Sequence, residues 1–257
     1  MKNSFCLVAI LCVLFLSSCV SKKKILYFQG IDDINISEGS SNYEPLLKPD
    51  DMLYINVSAS DPEAAESFNL GVEQGQGQGG TGLSIQRQTY LVDNAGNIQF
   101  PVLGTISVGG LTKAEFTANL LERLKVYITD AEPMVNIRIM NYKISVLGEV
   151  KSPGVYSITG DRVTLPEVIA MAGDMTMYGK RDNILIVREI NGVKTNMRVN
   201  MSDPNILNSP YYYLTQNDIV YIEPSKRRID STAIGSNITA GISILGFIIT
   251  TTLLLTR

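Results

Sequence analysis

Apolar and polar residues alternate along several short stretches of this chain, and near the C-terminus the alternation gives way to one long apolar run. Met52 to Ser58 (MLYINVS) has the two-residue period of a half-buried strand. Three further short strands are predicted at Tyr90–Val92, Ile98–Phe100 and Thr105–Val108. Asp93-Asn94-Ala95-Gly96-Asn97 reads as a hairpin turn joining the first two, and Pro101 and Gly104 divide the second from the third. Thr112 and Glu115 have the spacing of a capping box, in which each side chain satisfies the other's free backbone amide. Ala114, Leu120, Leu121 and Leu124 then supply the apolar positions of a helix to about Lys125. Val135–Met140 alternates again and leads out of this unit.

A second unit repeats the pattern with different punctuation. Ile144–Val150 turns at Ser152-Pro153-Gly154 into Val155–Ile158, and Thr164 with Glu167 forms another capping box for a short helix through Ala172, stopped at Gly173. Asn183–Glu189 and Val193–Val199 flank Asn191-Gly192, a strong hairpin signal. Pro210–Leu214, with three consecutive tyrosines, and Ile219–Ile222 follow. A hairpin–helix–hairpin order predicts a small β-grasp-like fold, one sheet curled around one helix. Gly71–Gly82 (GVEQGQGQGGTG) lacks core-forming side chains and is predicted as a flexible surface loop, as is the Asp, Ser, Gly and Asn-rich stretch Asp32–Asn42.

The two ends differ from the middle. Phe5–Leu16 is apolar but short for a membrane span, and it precedes Leu16-Ser17-Ser18-Cys19, the small-residue order of a secretory cut site. That order resembles a bacterial lipobox, which implies that Cys19 becomes the lipidated first residue of the mature chain. Lys22-Lys23-Lys24 reads as a solvated tether near anionic headgroups, and Ile25–Gly30 as a short strand, a docking segment or a plain linker. At the other end Ile238–Leu255 carries no charge and follows the basic Lys226-Arg227-Arg228. As a helix it would be roughly 27 Å long, so a membrane-crossing helix is predicted there. Thr232, Ser236, Thr239, Ser243, Gly246 and Thr250 would share one face, with Ile238, Ile242, Leu245, Ile248 and Ile249 opposite; Phe247 and Leu254 interrupt the stripe, and Thr251 and Thr252 lie off it. Such a stripe suits a water-lined wall, dry helix packing, or hydroxyls bonded to their own backbone.

Composition removes several chemistries. The 257 residues include no His and no Trp, and Cys6 and Cys12 fall in the leader, so one cysteine remains and no disulfide can form. The commonest general base, the commonest zinc ligand and the His-dependent nucleophile systems are therefore missing. A formal charge of −3 with acids and bases interspersed argues against a nucleic-acid partner. Paired acids do occur. Asp50-Asp51 lies in a turn, where adjacent side chains point apart, and nothing in the sequence sets the separation of Glu149 from Asp161 that a glycan-cleaving pair would need. No catalytic, cofactor or metal residue is assigned, and the chain is read as a non-enzyme.

Two motifs carry a resemblance. Leu47-Lys48-Pro49-Asp50-Asp51, followed by Tyr90, Val92, Asp93, Gly96, Ile98, Pro101, Gly104, Ile106, Val108, Gly110, Leu111 and Thr112 at fixed spacing, resembles the polysaccharide biosynthesis/export domain of outer-membrane polysaccharide export lipoproteins. Val146, Gly148, Glu149, Val150, Pro153, Gly154 and Tyr156, with Ala172-Gly173-Asp174 downstream, resembles the soluble-ligand-binding β-grasp domain that follows it in that family. The turn positions are Pro49, Asp50, Asp93, Gly96, Pro101, Gly104, Gly148, Pro153 and Gly154. One departs from the family, which usually has Pro-Gly-Asp where this chain has Pro49-Asp50-Asp51, so that turn cannot rely on Gly for a positive φ. A single β-grasp unit is found where some members carry two or more.

The resemblance implies an α+β fold: an export domain of mixed strands with one helix, one β-grasp-like domain and a C-terminal transmembrane helix. The boundaries expected are a lipoprotein signal peptide at 1–18, a lipidated tether at 19–42, an export domain at 43–141, a β-grasp domain at 142–224, and a basic linker with membrane helix at 225–257. It also implies a homo-oligomeric ring, around eight subunits in the family, at the outer membrane of a Gram-negative bacterium. Its soluble domains would enclose a periplasmic cavity, and Ser236, Thr239, Ser243, Gly246 and Thr250 would face a pore carrying capsular polysaccharide or exopolysaccharide. The partners implied are that polysaccharide, an inner-membrane polysaccharide copolymerase and membrane lipid through Cys19. The alternative is a periplasmic polysaccharide-binding or scaffold lipoprotein that forms no pore.

Overall fold

The computed structural model describes residues 25–35, 43–75, 84–129, 132–190 and 192–228, together with Ser243, Ile244, Gly246, Phe247, Thr250 and Thr251. Strand β1 (Met52–Ser58) buries Leu53, Ile55 and Val57 on one face, as its alternation predicts. It is the middle strand of an antiparallel sheet, between β4 (Tyr90–Leu91) and β7 (Met134–Ile139). A five-residue helix α1 (Pro62–Glu66) follows β1, capped by Asp61. β2 (Val72–Gly75) and β3 (Ser84–Arg87) pair with one another, so the start of the stretch expected to be loop is a strand. A run lacking core-forming side chains can still pair through its backbone, which composition does not disclose.

Around Asp93–Asn97 the pairing also differs from expectation. The turn closes through Asp93 N–H donating to Asn97 C=O at 2.9 Å, but its flanking strands go to different partners. β4 joins β1, whereas β5 (Asn97–Phe100) pairs with β6 (Gly104–Ser107) across Pro101–Leu103. The two halves meet instead through side chains, with Tyr90 and Phe100 stacked at 5.4 Å and both buried. Helix α2 (Lys113–Leu124) starts at the Thr112–Glu115 capping box, lies against β7 and packs Phe116, Leu120 and Leu124, all fully buried, into the first core. Their spacing of four residues is the helix's inner stripe; Phe116 takes the place expected of Ala114, which is exposed.

A second core forms around a five-stranded sheet. Its order is β12 (Val193–Val199), β11 (Gly179–Ile190), β14 (Ile219–Pro224), β8 (Lys143–Gly148) and β9 (Gly154–Ser157). The last strand in sequence is thus central, antiparallel to β11 and parallel to β8. A short pair, β10 (Val163–Thr164) with β13 (Tyr213–Leu214), closes one end. Helix α3 (Leu165–Met171), again opened by a capping box, lays Leu165, Val168 and Ile169 on the sheet residues Ile144, Val146, Ile184, Ile186, Val220 and Ile222. α3 ends with Gly173 at φ 76°, and Asp174 N–H donates to Ile169 C=O at 2.9 Å.

The architecture is α+β, with mixed sheets and few helices, and one part of the expectation is corrected. Among the described residues no helix is long and apolar enough to cross a membrane, which corrects the expected C-terminal transmembrane helix. The helical residues described in the C-terminal apolar run are Ser243, Ile244, Gly246, Phe247, Thr250 and Thr251. Apolarity sets what a run can dissolve in and does not make a helix. Half of the eighteen residues of Ile238–Leu255 are Ile or Thr, which lose χ1 freedom in a helix, and two more are Gly.

Candidate functional site

The first motif folds as a four-residue turn. Asp51 N–H donates to Lys48 C=O at 3.2 Å, Pro49 takes the second position, and Asp50 takes the third at φ 67°. That is the position where a type II turn wants Gly, and Asp is among the few residues that tolerate it. Backbone bonds clamp it: Asp50 N–H donates to Val92 C=O at 2.9 Å, and the Asn141 side-chain amide donates to Asp50 C=O at 2.8 Å. The neighbouring Asp51 is 1% exposed, with one carboxylate oxygen accepting from Lys48 N–H at 2.8 Å and the other unpartnered. Burial pushes its carboxyl up to about 6, against the pull of the Lys48 amide and ammonium.

Asp93 organises the next turn by accepting with one oxygen from Ala95 N–H and Asn97 N–H, at 2.9 and 2.8 Å. Gly96, at φ 79°, lies against Gly109 so closely that a Cβ on Gly109 would come within 2.8 Å of the Gly96 Cα. Gly96 C=O accepts from both Val108 N–H and Gly109 N–H at 2.8 Å, tying turn to turn. Pro101 opens the β5–β6 turn and Gly104 closes it at φ 71°. In the second motif Gly148, at φ 91°, faces the central strand; a Cβ there would sit 2.0 Å from Ile222 C=O. Pro153 and Gly154 make the β8–β9 turn, with open space around Gly154.

The two cores meet at a polar and aromatic junction. Arg188 and Asp218 are buried and joined by three hydrogen bonds, from Arg188 Nε to both carboxylate oxygens at 3.1 Å and from Nη2 to Oδ2 at 2.7 Å. Asp218 also accepts from Thr215 N–H and Thr215 Oγ1 at 2.8 and 2.9 Å, and Arg188 Nη2 donates to Tyr213 C=O at 2.9 Å. Burial opposes the Arg188 charge, but Asp218 more than offsets this and the guanidinium is held above its usual range. Lys48 crosses from the first core and donates to Thr215 Oγ1 at 3.2 Å; its desolvation lowers its pKa. Tyr43 stacks on Tyr213 at 4.9 Å and 3°, Arg188 lies over Tyr211 and Arg162 over Tyr213. These groups satisfy one another, an arrangement for fixing the two domains at one angle rather than for moving protons.

None of Tyr43, Arg188, Asp218 or Thr215 figured among the sequence motifs, yet a signal was present. Arg188 shares the inward phase of Ile184 and Ile186, and Asp218 that of Val220 and Ile222. Opposite charges at inward positions of two strands predict a buried pair. Glu149 and Asp161, the carboxylates weighed as a catalytic couple, have different partners: Glu149 accepts from Thr176 Oγ1 at 2.8 Å, and Asp161 pairs with Lys113. Among the described residues no cluster of acidic and cysteine side chains could hold a metal ion. Beside Tyr211 an open cleft of about 320 Å³ has Val199 and Ile206 on its apolar side and Arg198, Asn200 and Asp203 on its polar side.

Cys19, Ser236 and Thr239 lie outside the described residues. Ser243, Gly246 and Thr250 are exposed, and Thr250 Oγ1 donates to Gly246 C=O at 2.7 Å, as a hydroxyl satisfied on its own backbone does.

With this geometry in hand, the likeness to known proteins falls into place. Residues 39–140 match the polysaccharide biosynthesis/export protein family and residues 142–222 match the SLBB domain. A polysaccharide biosynthesis/export domain is thus followed directly by an SLBB domain in this chain. It is 35% identical over 103 residues to the EPS I polysaccharide export outer membrane protein EpsA of Ralstonia solanacearum, covering 38% of this chain and 27% of that one. The same identity over the same length links it to the EpsA protein of Ralstonia nicotianae, covering 26% of that relative. The chain thus matches about a quarter of the length of these curated relatives.

Proposed function

We propose that this protein is an outer-membrane lipoprotein that passes capsular polysaccharide or exopolysaccharide out of the cell, without catalysing a reaction on it. The tandem order of export domain and SLBB domain across residues 39–222 carries the reading. The names of the relatives, which speak of EPS polysaccharide export and the outer membrane, support the same role and place. In this reading residues 1–18 are a leader, Cys19 carries lipid, and several copies of the chain close into a ring whose interior guides the polymer from an inner-membrane copolymerase. Domain limits at 43–141 and 142–224 belong to the same proposal. The rigid junction of Arg188, Asp218 and Lys48 suits a ring in which every subunit must hold one interdomain angle.

Deletion of the gene, with complementation, tests this. Surface polysaccharide should fall and polymer should be retained in the periplasm, both reversed by the intact gene. Unchanged surface polymer with none retained would sink the proposal. Polymer length should be the same before and after incubation with purified protein.

A further inference from the structure

Both ends of the folded body are held by one short loop of the SLBB domain. On the N-terminal side, Tyr27 donates its hydroxyl to Asp174 at 2.5 Å, and its ring lies 5.1 Å from the guanidinium of Arg181. Phe28 N–H and Gln29 N–H donate to Met201 C=O and Ser202 C=O at 3.1 and 2.8 Å, and both aromatic rings pack on the second core. On the C-terminal side, Ser225 N–H donates to Tyr178 C=O at 2.7 Å. Arg228 then lies 5.5 Å over the Tyr178 ring and 3.9 Å from the Glu149 carboxylate. Arg181, buried at 4% exposure, ties the loop together by donating to the carbonyls of Met175, Thr176 and Gly179. Residues 173–181 therefore gather Tyr27 and Ser225–Arg228, the two ends of the described body, onto one face.

That face is basic. Lys226, Arg227 and Arg228 form one exposed helical turn there, and Lys151 packs beneath Gly173. Three of the acids nearby have partners: Glu223 holds Lys180 and Arg198, Glu149 holds Thr176 and Arg228, and Asp174 holds Tyr27, while Asp182 is exposed next to Arg181. Cys19 is six positions before Ile25, the first described residue, a span of at most roughly 22 Å between the two Cα atoms.

We propose that this face, built on loop 173–181 and the turn Lys226–Arg228, rests on anionic lipid headgroups. The inference builds on the outer-membrane reading above and adds which surface meets the bilayer and through what chemistry. A cation near an anionic bilayer strengthens binding about fivefold, and short range confines the effect to charges within about a Debye length. The export domain, which contributes none of these residues, then projects away from the lipid.

Full-length, Cys19-acylated protein carrying a fluorescent dye through Met177→Cys or through Val126→Cys decides the matter. Met177 is 69% exposed on the loop, and Val126 is 75% exposed in the other domain. In phosphatidylcholine vesicles containing phosphatidylglycerol and brominated lipid, the dye at position 177 should be quenched several-fold more than that at 126. The double change Lys226→Glu, Arg227→Glu should abolish the difference, and vesicles of phosphatidylcholine alone should show none. Equal quenching at both positions, or a difference indifferent to lipid charge and to the double change, overturns the proposal. Flotation of the same samples separates the two readings: protein that floats without contact at 177 refutes the face alone, and protein that does not float refutes the membrane reading with it.

Discussion

Replacing Asp50 by Gly should stabilise the export domain, although it removes a charged side chain from a motif. The structure holds Asp50 at φ 67° in the third position of the Lys48–Asp51 turn. An L-residue in that region costs roughly 1–2 kcal/mol, somewhat less for Asp, and Gly removes the cost. Against this, Gly leaves the unfolded chain freer by about 0.5–1 kcal/mol. The bonds that fix the turn come from the backbone of Asp50, to Val92 and from Asn141, and they survive the change. The balance is about 0.5 kcal/mol in favour of Asp50→Gly, or roughly 2–4 °C in the midpoint of a domain of this size. Asp50→Val, which keeps a Cβ and adds branching, should cost at least 1 kcal/mol. Thermal unfolding of the full chain followed by circular dichroism, with the three proteins side by side, reads the order directly. If Gly proved less stable than Asp, or Val equal to it, the positive-φ account of this turn would be wrong.

Three further outcomes follow from the geometry. Gly148→Ala should cost about 3 kcal/mol or more, because its Cβ would lie 2.0 Å from Ile222 C=O, while Gly154→Ala, with open space around it, should stay within about 0.5 kcal/mol; urea midpoints compare them. Asp218→Ala strands the buried Arg188 and should lower stability by about 3–5 kcal/mol, whereas a joint exchange of both for apolar residues should recover much of it. Asp51 has a folded-state pKa of about 6, raised from 3.8, so the native state binds the extra proton between those values. This group therefore destabilises the fold as pH rises from about 4 to 6, by up to about 3 kcal/mol. Asp51→Asn should be more stable than the parent at pH 7 and equal to it near pH 4; a difference that does not change with pH would refute the shift. Glu223, held low by hydrogen bonds from Arg198 and Lys180, acts in the opposite direction and cancels in that comparison.

How far the chain could be read before folding depends on the range of the interaction involved. Both capping boxes, the alternation of Met52–Ser58, the glycine stop after α3 and the β11–β12 hairpin pairing of Ile190 with Val193 rest on contacts within a few residues, so local sequence determined them. Both family motifs were legible for the same reason: their turns are built from neighbouring residues, as Asp93 with Ala95 and Asn97 illustrates. Pairing across distance was another matter. Tyr90–Leu91 and Asn97–Phe100 flank one turn, and only the placement of β1 sent the first strand away from the second. Likewise, the position of β14 between β8 and β11 and the meeting of Lys48 with Thr215 depend on how two cores dock. The apolar tail marks the limit most plainly. Its hydropathy predicted a spanning helix, and among the described residues no helix long and apolar enough is present. Sequence alone thus determined the two domain motifs and the local turns, because those follow from nearest neighbours. Tertiary structure decided strand partners, the buried Arg188–Asp218 pair and the meeting of Tyr27 and Arg228 on loop 173–181, because each requires residues far apart in sequence to be brought together.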